Sequence, residues 1–204
     1  VTTAVFDLGN VCVVWDRRLL YATLFDDVEE LDRFLSEVYT LEANERFDRG
    51  QPLHEFTVEL AAQFPQYAEA IGALKDRWID TIGPVIDGTI EIVAELRAAG
   101  VALYALSNWN AGTFALVEPR FAWLQWFDGI VLSGREGVIK PNPAIYHRLL
   151  ERFAIDPATA VFVDDAPANV ATARELGLHG VVFESAEQLR RALGALGLLT
   201  VGTP

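Results

Sequence analysis

The chain is short of positive charge: 16 lysines and arginines stand against 29 aspartates and glutamates, giving a formal net charge of −13 over 204 residues. Nucleic acid and anionic membranes both require a clustered positive field, so neither is expected as a partner. Cysteine occurs once, as Cys12, which excludes an internal disulfide and fits a reducing compartment. Alone in an apolar stretch, Cys12 reads as a small core filler rather than a nucleophile. The three histidines, His54, His147 and His179, lie far apart and lack the spacing of zinc ligands. No run approaches the roughly 18 consecutive apolar residues that span a bilayer. The N-terminus also lacks the basic then apolar plan of a signal peptide, so a cytoplasmic location is expected. Repeats and low-complexity tracts are absent, and Thr200 to Pro204 reads as a frayed tail. An anionic small molecule stays open as a ligand, because a divalent cation and a lysine can reverse the sign of charge inside a cleft.

What is present is a 51% hydrophobic composition arranged in short runs. Five of them, 3–7, 101–107, 129–133, 160–164 and 180–183, are rich in Val, Ile, Phe and Ala and read as buried parallel strands. Helical patterns fall between them. From Asp87 to Ala99 an apolar stripe ends at Gly100, a good C-cap. Asn142-Pro143 supplies an N-cap and a proline at the first helical position, and Ser185 with Gln188 forms a capping box. This alternation predicts an α/β fold with a doubly wound parallel sheet. Residues 16–85 break the alternation and read as helical throughout, as an insert over the C-terminal strand ends, with helices expected over 52–63 and 67–80. The expected division is therefore a core of 1–15 and 86–204 and an inserted helical cap of 16–85.

The chemistry-bearing residues fall at strand ends. Asp7 closes the first run, Ser107-Asn108 the second and Asp164-Asp165 the fourth, while Lys140 follows the third by a short loop. In a parallel sheet those ends share one edge, so residues scattered from 7 to 165 converge. Their types are complementary. A carboxylate such as Asp7 attacks phosphorus when the phosphate charge is screened, and water then hydrolyses the aspartyl-phosphate. Screening falls to a hard cation such as Mg²⁺, for which Asp7, the Gly9 carbonyl, Asp164 and Asp165 offer oxygen ligands. Lys140 is expected to pair with a phosphate oxygen and with Asp7, and the Ser107 hydroxyl and a neighbouring amide to donate to the transferring group.

Phe-Asp-Leu-Gly-Asn-Val at 6–11, Leu-Ser-Asn at 106–108, Gly-Val-Ile-Lys-Pro-Asn-Pro-Ala-Ile-Tyr at 137–146 and Val-Phe-Val-Asp-Asp-Ala-Pro-Ala-Asn at 161–169 resemble, in order, the four motifs of haloacid dehalogenase-like hydrolases. The resemblance spans nearly the whole chain. It implies a Rossmann-like core of strand order 3-2-1-4-5, a mobile helical cap, Mg²⁺ and an Asp7 nucleophile. It also makes Asp165 the direct metal ligand, with Asp164 and Asn169 behind it or as alternatives. The chain departs from the pattern at Gly9, where most phosphatases of the superfamily carry an aspartate as general acid and base. Glycine leaves that proton transfer to water, to the substrate, or to Asp16, Asp48 or His54. The Asp-Leu-Gly-Asn form resembles a branch of bacterial sugar-phosphate phosphatases, implying a small, sugar-like phosphate substrate.

Three other readings compete with this one. A 2-haloacid dehalogenase also lacks the second aspartate, but resembles Ser-Ser-Asn where this chain has Asp164-Asp165-Ala166. A carboxylate pair beside Asp7 is repulsive without a metal. A receiver domain has its acids in the wrong order along the chain, and a non-catalytic binding module has only Gly9 in its favour. Among the tryptophans, Trp15 and Trp109 are expected to border the cleft. The acidic group Asp26-Asp27 with Glu29-Glu30 reads as a solvated helix start.

Overall fold

A computed structural model describes residues 1–199, and the expected tail at 200–204 lies outside the described residues. After β1 (Thr3–Phe6) and a short β2 (Val13–Trp15), the chain runs through α1 (Arg17–Tyr21), α2 (Val28–Arg33), α3 (Leu41–Asp48), α4 (Leu53–Gln63) and α5 (Ala68–Arg77). It returns through β3 (Ile82–Val85), α6 (Asp87–Ala98), β4 (Ala102–Ser107), α7 (Ala111–Val117), β5 (Gly129–Leu132), α8 (Ser133–Glu136) and α9 (Pro143–Arg152). The chain then forms β6 (Ala160–Asp164), α10 (Pro167–Glu175), β7 (His179–Val182) and α11 (Ala186–Ala195).

Five strands form a parallel sheet in the order β5-β4-β1-β6-β7, the expected 3-2-1-4-5 arrangement. Successive strand residues point to opposite faces. Ala4 and Phe6 therefore join Leu103, Ala105, Val161 and Val163 in a core with α6, α7 and α11, while Val5 joins Leu106 and Phe162 against α9 and α10. Because β1 pairs with β4 on one side and β6 on the other, its C-terminal tip lies beside the point where the winding reverses, where such sheets bind ligands.

The reading of 16–85 as wholly helical needs correction. Ile82 to Val85 is a strand, paired antiparallel with β2 through Val13–Val85 and Trp15–Ile82. Gly83 and Pro84 interrupt the β-branched pattern that signals a strand, and proline is tolerated here because a two-stranded ribbon consists only of edges. The ribbon closes the base of the helical segment. None of its helices exceeds 11 residues, too short to persist alone. Aromatic packing holds them: Tyr21 lies 4.6 Å from Phe34, Phe34 lies 5.4 Å from Tyr67, and Phe47 lies 5.3 Å from Phe56. The expected caps form at Asn142 and Ser185, although the Gln188 side chain reaches the Glu184 amide rather than that of Ser185. Asp27 caps α2, with Glu29 and Glu30 in its first turn.

Side-chain hydrogen bonds from Asn110 and Ser133 fasten the segment to the sheet edge. Asn110 Nδ2 donates to the carbonyls of Phe47 (2.8 Å) and Gln51 (2.9 Å), and Ser133 Oγ donates to that of Asp48 (2.6 Å). Gly50, at φ +107°, passes so close that a Cβ on it would stand 2.7 Å from the Gly134 carbonyl oxygen. Gly50→Ala is expected to lower the unfolding free energy by about 1–3 kcal/mol, from left-handed strain and the clash. Gly72→Ala, in open space within α5, is expected to raise it by about 0.5–1 kcal/mol. Urea unfolding midpoints of the two variants check both signs.

Candidate active site

Asp7 follows directly on β1, its amide still bonded to Val163 O at 2.8 Å, so its carboxylate projects from the sheet edge. One oxygen accepts from the Leu8 amide at 2.7 Å and lies 3.0 Å from Lys140 Nζ. Lys140 is buried, and its ammonium also lies 2.6 Å from Asp164 Oδ2. Asp164 ends β6 with both oxygens engaged. Oδ1 takes the Ala166 amide (2.8 Å) and Asn169 Nδ2 (2.9 Å), and Oδ2 takes Lys140 and Asn169 Nδ2 (3.1 Å). Tyr146 Oη donates to Asn169 O at 2.9 Å and so ties α9 to α10 behind this cluster.

The Asn108 side chain exchanges two hydrogen bonds with the Lys140 backbone, donating to its carbonyl (3.0 Å) and accepting from its amide (2.8 Å). The Asn108 amide group is spent on fixing the lysine loop, which continues through a cis Lys140–Pro141 bond into α9. Lys140 itself lies beneath Asp7, and neither it nor Asp164 is among the residues lining the cavity above. The cavity has a volume of about 350 Å³, in the range of small-molecule sites. Asp7, Gly9, Ser107, Asn108 and Asp165 form its floor; Trp15 and Trp109 border it as expected, joined by Trp78, Leu41 and Asp48 from the helical segment. Asp16 and His54 are exposed and do not reach it.

Burial pushes the Asp7 carboxyl up to about 7, with Lys140 opposing, Asp164 and Asp165 adding repulsion and the Ser107 hydroxyl pulling down. Burial also acts against the Lys140 charge, but Asp164 and Asp7 outweigh it and hold the ammonium above its ordinary range. Asp165 is raised by burial and by Asp164. Cys12, buried with its thiol 3.4 Å from Asp7 O, is pushed well upward by burial, which suits an inert filler. Asp7, Asp164 and Asp165 each place a carboxylate oxygen within 4.8 Å of the others. One lysine cannot neutralise three carboxylates, so this all-oxygen donor set fits a hard divalent cation. Asp165 has its carboxylate at the cavity, whereas the oxygens of Asp164 are already taken.

Gly9 is not required by backbone or space. Its φ is unexceptional, and a Cβ would meet only Trp15 Cβ at 4.0 Å. The left-handed residue is its neighbour Asn10 (φ 56°), a type that tolerates it, with Oδ1 accepting from the Trp15 amide at 2.9 Å. The contribution of Trp78 was not legible in the sequence, because it comes from the far end of the helical segment, just before β3.

Lys140→Met leaves Asp7 and Asp164 facing each other without a counter-ion. The variant is expected to lose about 3–5 kcal/mol of stability at pH 8. The Asp7 carboxyl, already raised by burial, would then titrate higher still, so the penalty fades as pH falls toward its unfolded value of about 3.9. Urea unfolding of wild type and variant at pH 8 and pH 5 measures the difference.

A family model described as haloacid dehalogenase-like hydrolase matches residues 1–177. A sesquiterpene phosphatase of Aspergillus oryzae is 29% identical over 180 residues, 87% of each chain. A flavin mononucleotide hydrolase of Arabidopsis thaliana is 29% identical over 116 residues, 55% of this chain and 46% of that one. Among solved structures, a HAD-family enzyme of Bacteroides thetaiotaomicron in complex with magnesium and inorganic phosphate superposes with a TM-score of 0.69 at 21% identity, over 91% of this chain and 95% of that one.

Proposed function

The chain belongs to the haloacid dehalogenase-like hydrolases, and on that premise we propose that it is a Mg²⁺-dependent phosphomonoester hydrolase working through an aspartyl-phosphate on Asp7. The observation that carries this reading is the carboxylate cluster of Asp7, Asp164 and Asp165 on a buried lysine, with Asp7 and Asp165 opening onto a ligand-sized cavity. A haloacid dehalogenase needs no cation and gains nothing from three mutually repelling acids. A binding module has no use for a lysine buried beneath an aspartate that faces the cavity.

In this reading Asp7, the Gly9 carbonyl and Asp165 hold the cation, and Asp164 holds Lys140. When bound, Mg²⁺ supplies positive charge that keeps Asp7 ionised and neutralises phosphate oxygens. Lys140 orients Asp7 and lowers the cost of its charge. The Asp7 oxygen attacks phosphorus in line with the departing alcohol, the Ser107 hydroxyl and the Asn108 backbone amide donate to the phosphoryl oxygens, and water then frees the phosphate. The segment 16–85 serves as the cap, enclosing the substrate against Asp7.

The substrate is a small phosphate ester held within that cap. The resemblance to sugar-phosphate phosphatases favours a sugar-like alcohol. The indoles of Trp15, Trp78 and Trp109 with Leu41 favour a flat or apolar one, and the phosphatase of a sesquiterpene and the hydrolase of flavin mononucleotide support that second reading. Turnover of sugar phosphates, flavin mononucleotide and a prenyl phosphate, each with Mg²⁺ and with EDTA, separates the two. Activity is expected only with Mg²⁺. Asp7→Asn is expected to lose about 10³-fold or more of kcat. Asp165→Ala is expected to raise the Mg²⁺ concentration for half-maximal rate by at least about 10-fold. Metal-independent chloride release from 2-chloropropionate contradicts the phosphatase reading.

A further inference from the structure

Gly9 leaves the departing alkoxide without the usual proton donor, yet the helical segment brings a carboxyl of its own to the cavity. Asp48 ends α3 and lines the same cavity as Asp7. Its position is fixed on both sides. The backbone around it is held to the sheet edge, with Ser133 Oγ on its own carbonyl and Asn110 on those of Phe47 and Gln51. The side chain is held by a relay in which Tyr39 Oη donates to Asn44 Oδ1 at 2.8 Å and Asn44 Nδ2 donates to Asp48 Oδ2 at 2.7 Å. Among the described residues no hydrogen bond engages Oδ1, which is left for a ligand.

Of the other side chains of the segment that could replace the missing acid, Asp16 and His54 are exposed and outside the cavity, Asp16 being occupied in capping α1, and Glu45, which also lines the cavity, is exposed and paired with Arg49 at 3.3 Å. Asp48 therefore combines three properties a proton carrier needs: access to the cavity, a fixed backbone and a free oxygen. The charged and titratable groups acting on it are Asp7, Glu45 and Arg49, and it acts in turn on Tyr39. Burial, followed by the Asp7 charge, favours its protonated form.

We propose that Asp48 is the general acid and base of this hydrolase, taking from the helical segment the role that an aspartate at position 9 would fill. The inference rests on the aspartyl-phosphate reading above. As Asp7 Oδ bonds to phosphorus, the bond from phosphorus to the ester oxygen breaks with its electron pair on that oxygen, which takes the Asp48 proton and leaves as a neutral alcohol. Asp48, now a carboxylate, accepts a proton from the water that attacks phosphorus. The bond from phosphorus to Asp7 breaks with its pair returned to the carboxylate, phosphate leaves, and both acids regain their starting states. One carboxyl thus serves both half-reactions because leaving alcohol and entering water pass the same point.

The test compares an alkyl phosphate, whose leaving group needs a proton, with p-nitrophenyl phosphate, whose leaving group does not. Asp48→Asn keeps the size and an acceptor for Asn44. It is expected to lower the ratio of kcat/KM for alkyl over p-nitrophenyl phosphate by about 10²-fold, within the usual range of acid–base help. Gly9→Asp in the same chain, for which there is room, is expected to restore that ratio. An unchanged ratio in Asp48→Asn, with urea midpoint as in wild type, overturns the assignment. A variant that unfolds is replaced by Asp48→Ser, which keeps an acceptor but no acid: a lowered ratio supports the assignment, and a ratio equal to that of wild type overturns it. Absence of p-nitrophenyl turnover by the wild-type protein sinks the phosphatase reading itself, and this proposal with it.

Discussion

The ammonium of Lys140, buried between the carboxylates of Asp7 and Asp164, is the interaction on which the rest of this site depends. Taking an ion out of water costs several kcal/mol even after relaxation, and the two carboxylates offset that cost only while their geometry holds. That geometry draws on most of the core. Asp7 is fixed by β1, Asp164 by β6, and Lys140 by the paired hydrogen bonds of Asn108 beyond β4. Tyr146 and Asn169 support Asp164 from α9 and α10. A shift of any of these elements would leave a buried charge without its partner, so the cluster couples the sheet's register to the position of one reactive oxygen.

The same cluster accounts for the site's appetite for positive charge. One lysine leaves three neighbouring carboxylates under-compensated, and burial lifts Asp7 to about 7. A nucleophile has to be ionised, and a divalent cation at the open side, where Asp165 is exposed, restores that state without moving the lysine. A phosphate ester brings the opposite charge to the same spot. The overall charge of −13 is therefore compatible with an anionic substrate, since the local field beside Asp7 is set by the ions in the cleft.

Much of this arrangement was legible in the sequence, for physical reasons. Buried parallel strands announce themselves as short runs of Val, Ile, Phe and Ala, and functional side chains of such sheets stand at their C-terminal ends, so Asp7, Ser107 and Asp164 could be placed without coordinates. What stayed hidden involved either broken local patterns or tertiary reach. Gly83 and Pro84 concealed β3. Asn108 could be placed at a strand end, but not what its side chain would meet: a side-chain amide matches a peptide's donor and acceptor, and here it meets the Lys140 backbone. Trp78, and the choice of Asp48 over Asp16 and His54, depend on the helical segment, whose packing is set by aromatic contacts among Tyr21, Phe34, Tyr67, Phe47 and Phe56. No short-range spacing encodes where such a segment folds back onto the sheet; the Asn110 and Ser133 side chains decide it.

A covalent phosphoryl group on Asp7 is the central claim, and chemical trapping tests it most directly. Acid quenching during turnover, followed by borohydride reduction and peptide mass spectrometry, converts an aspartyl-phosphate to homoserine at its own position. Homoserine is expected at position 7, only when substrate and Mg²⁺ are both present. Steady turnover with unmodified Asp7, or with the label on Asp48, Asp164 or Asp165, would contradict the account.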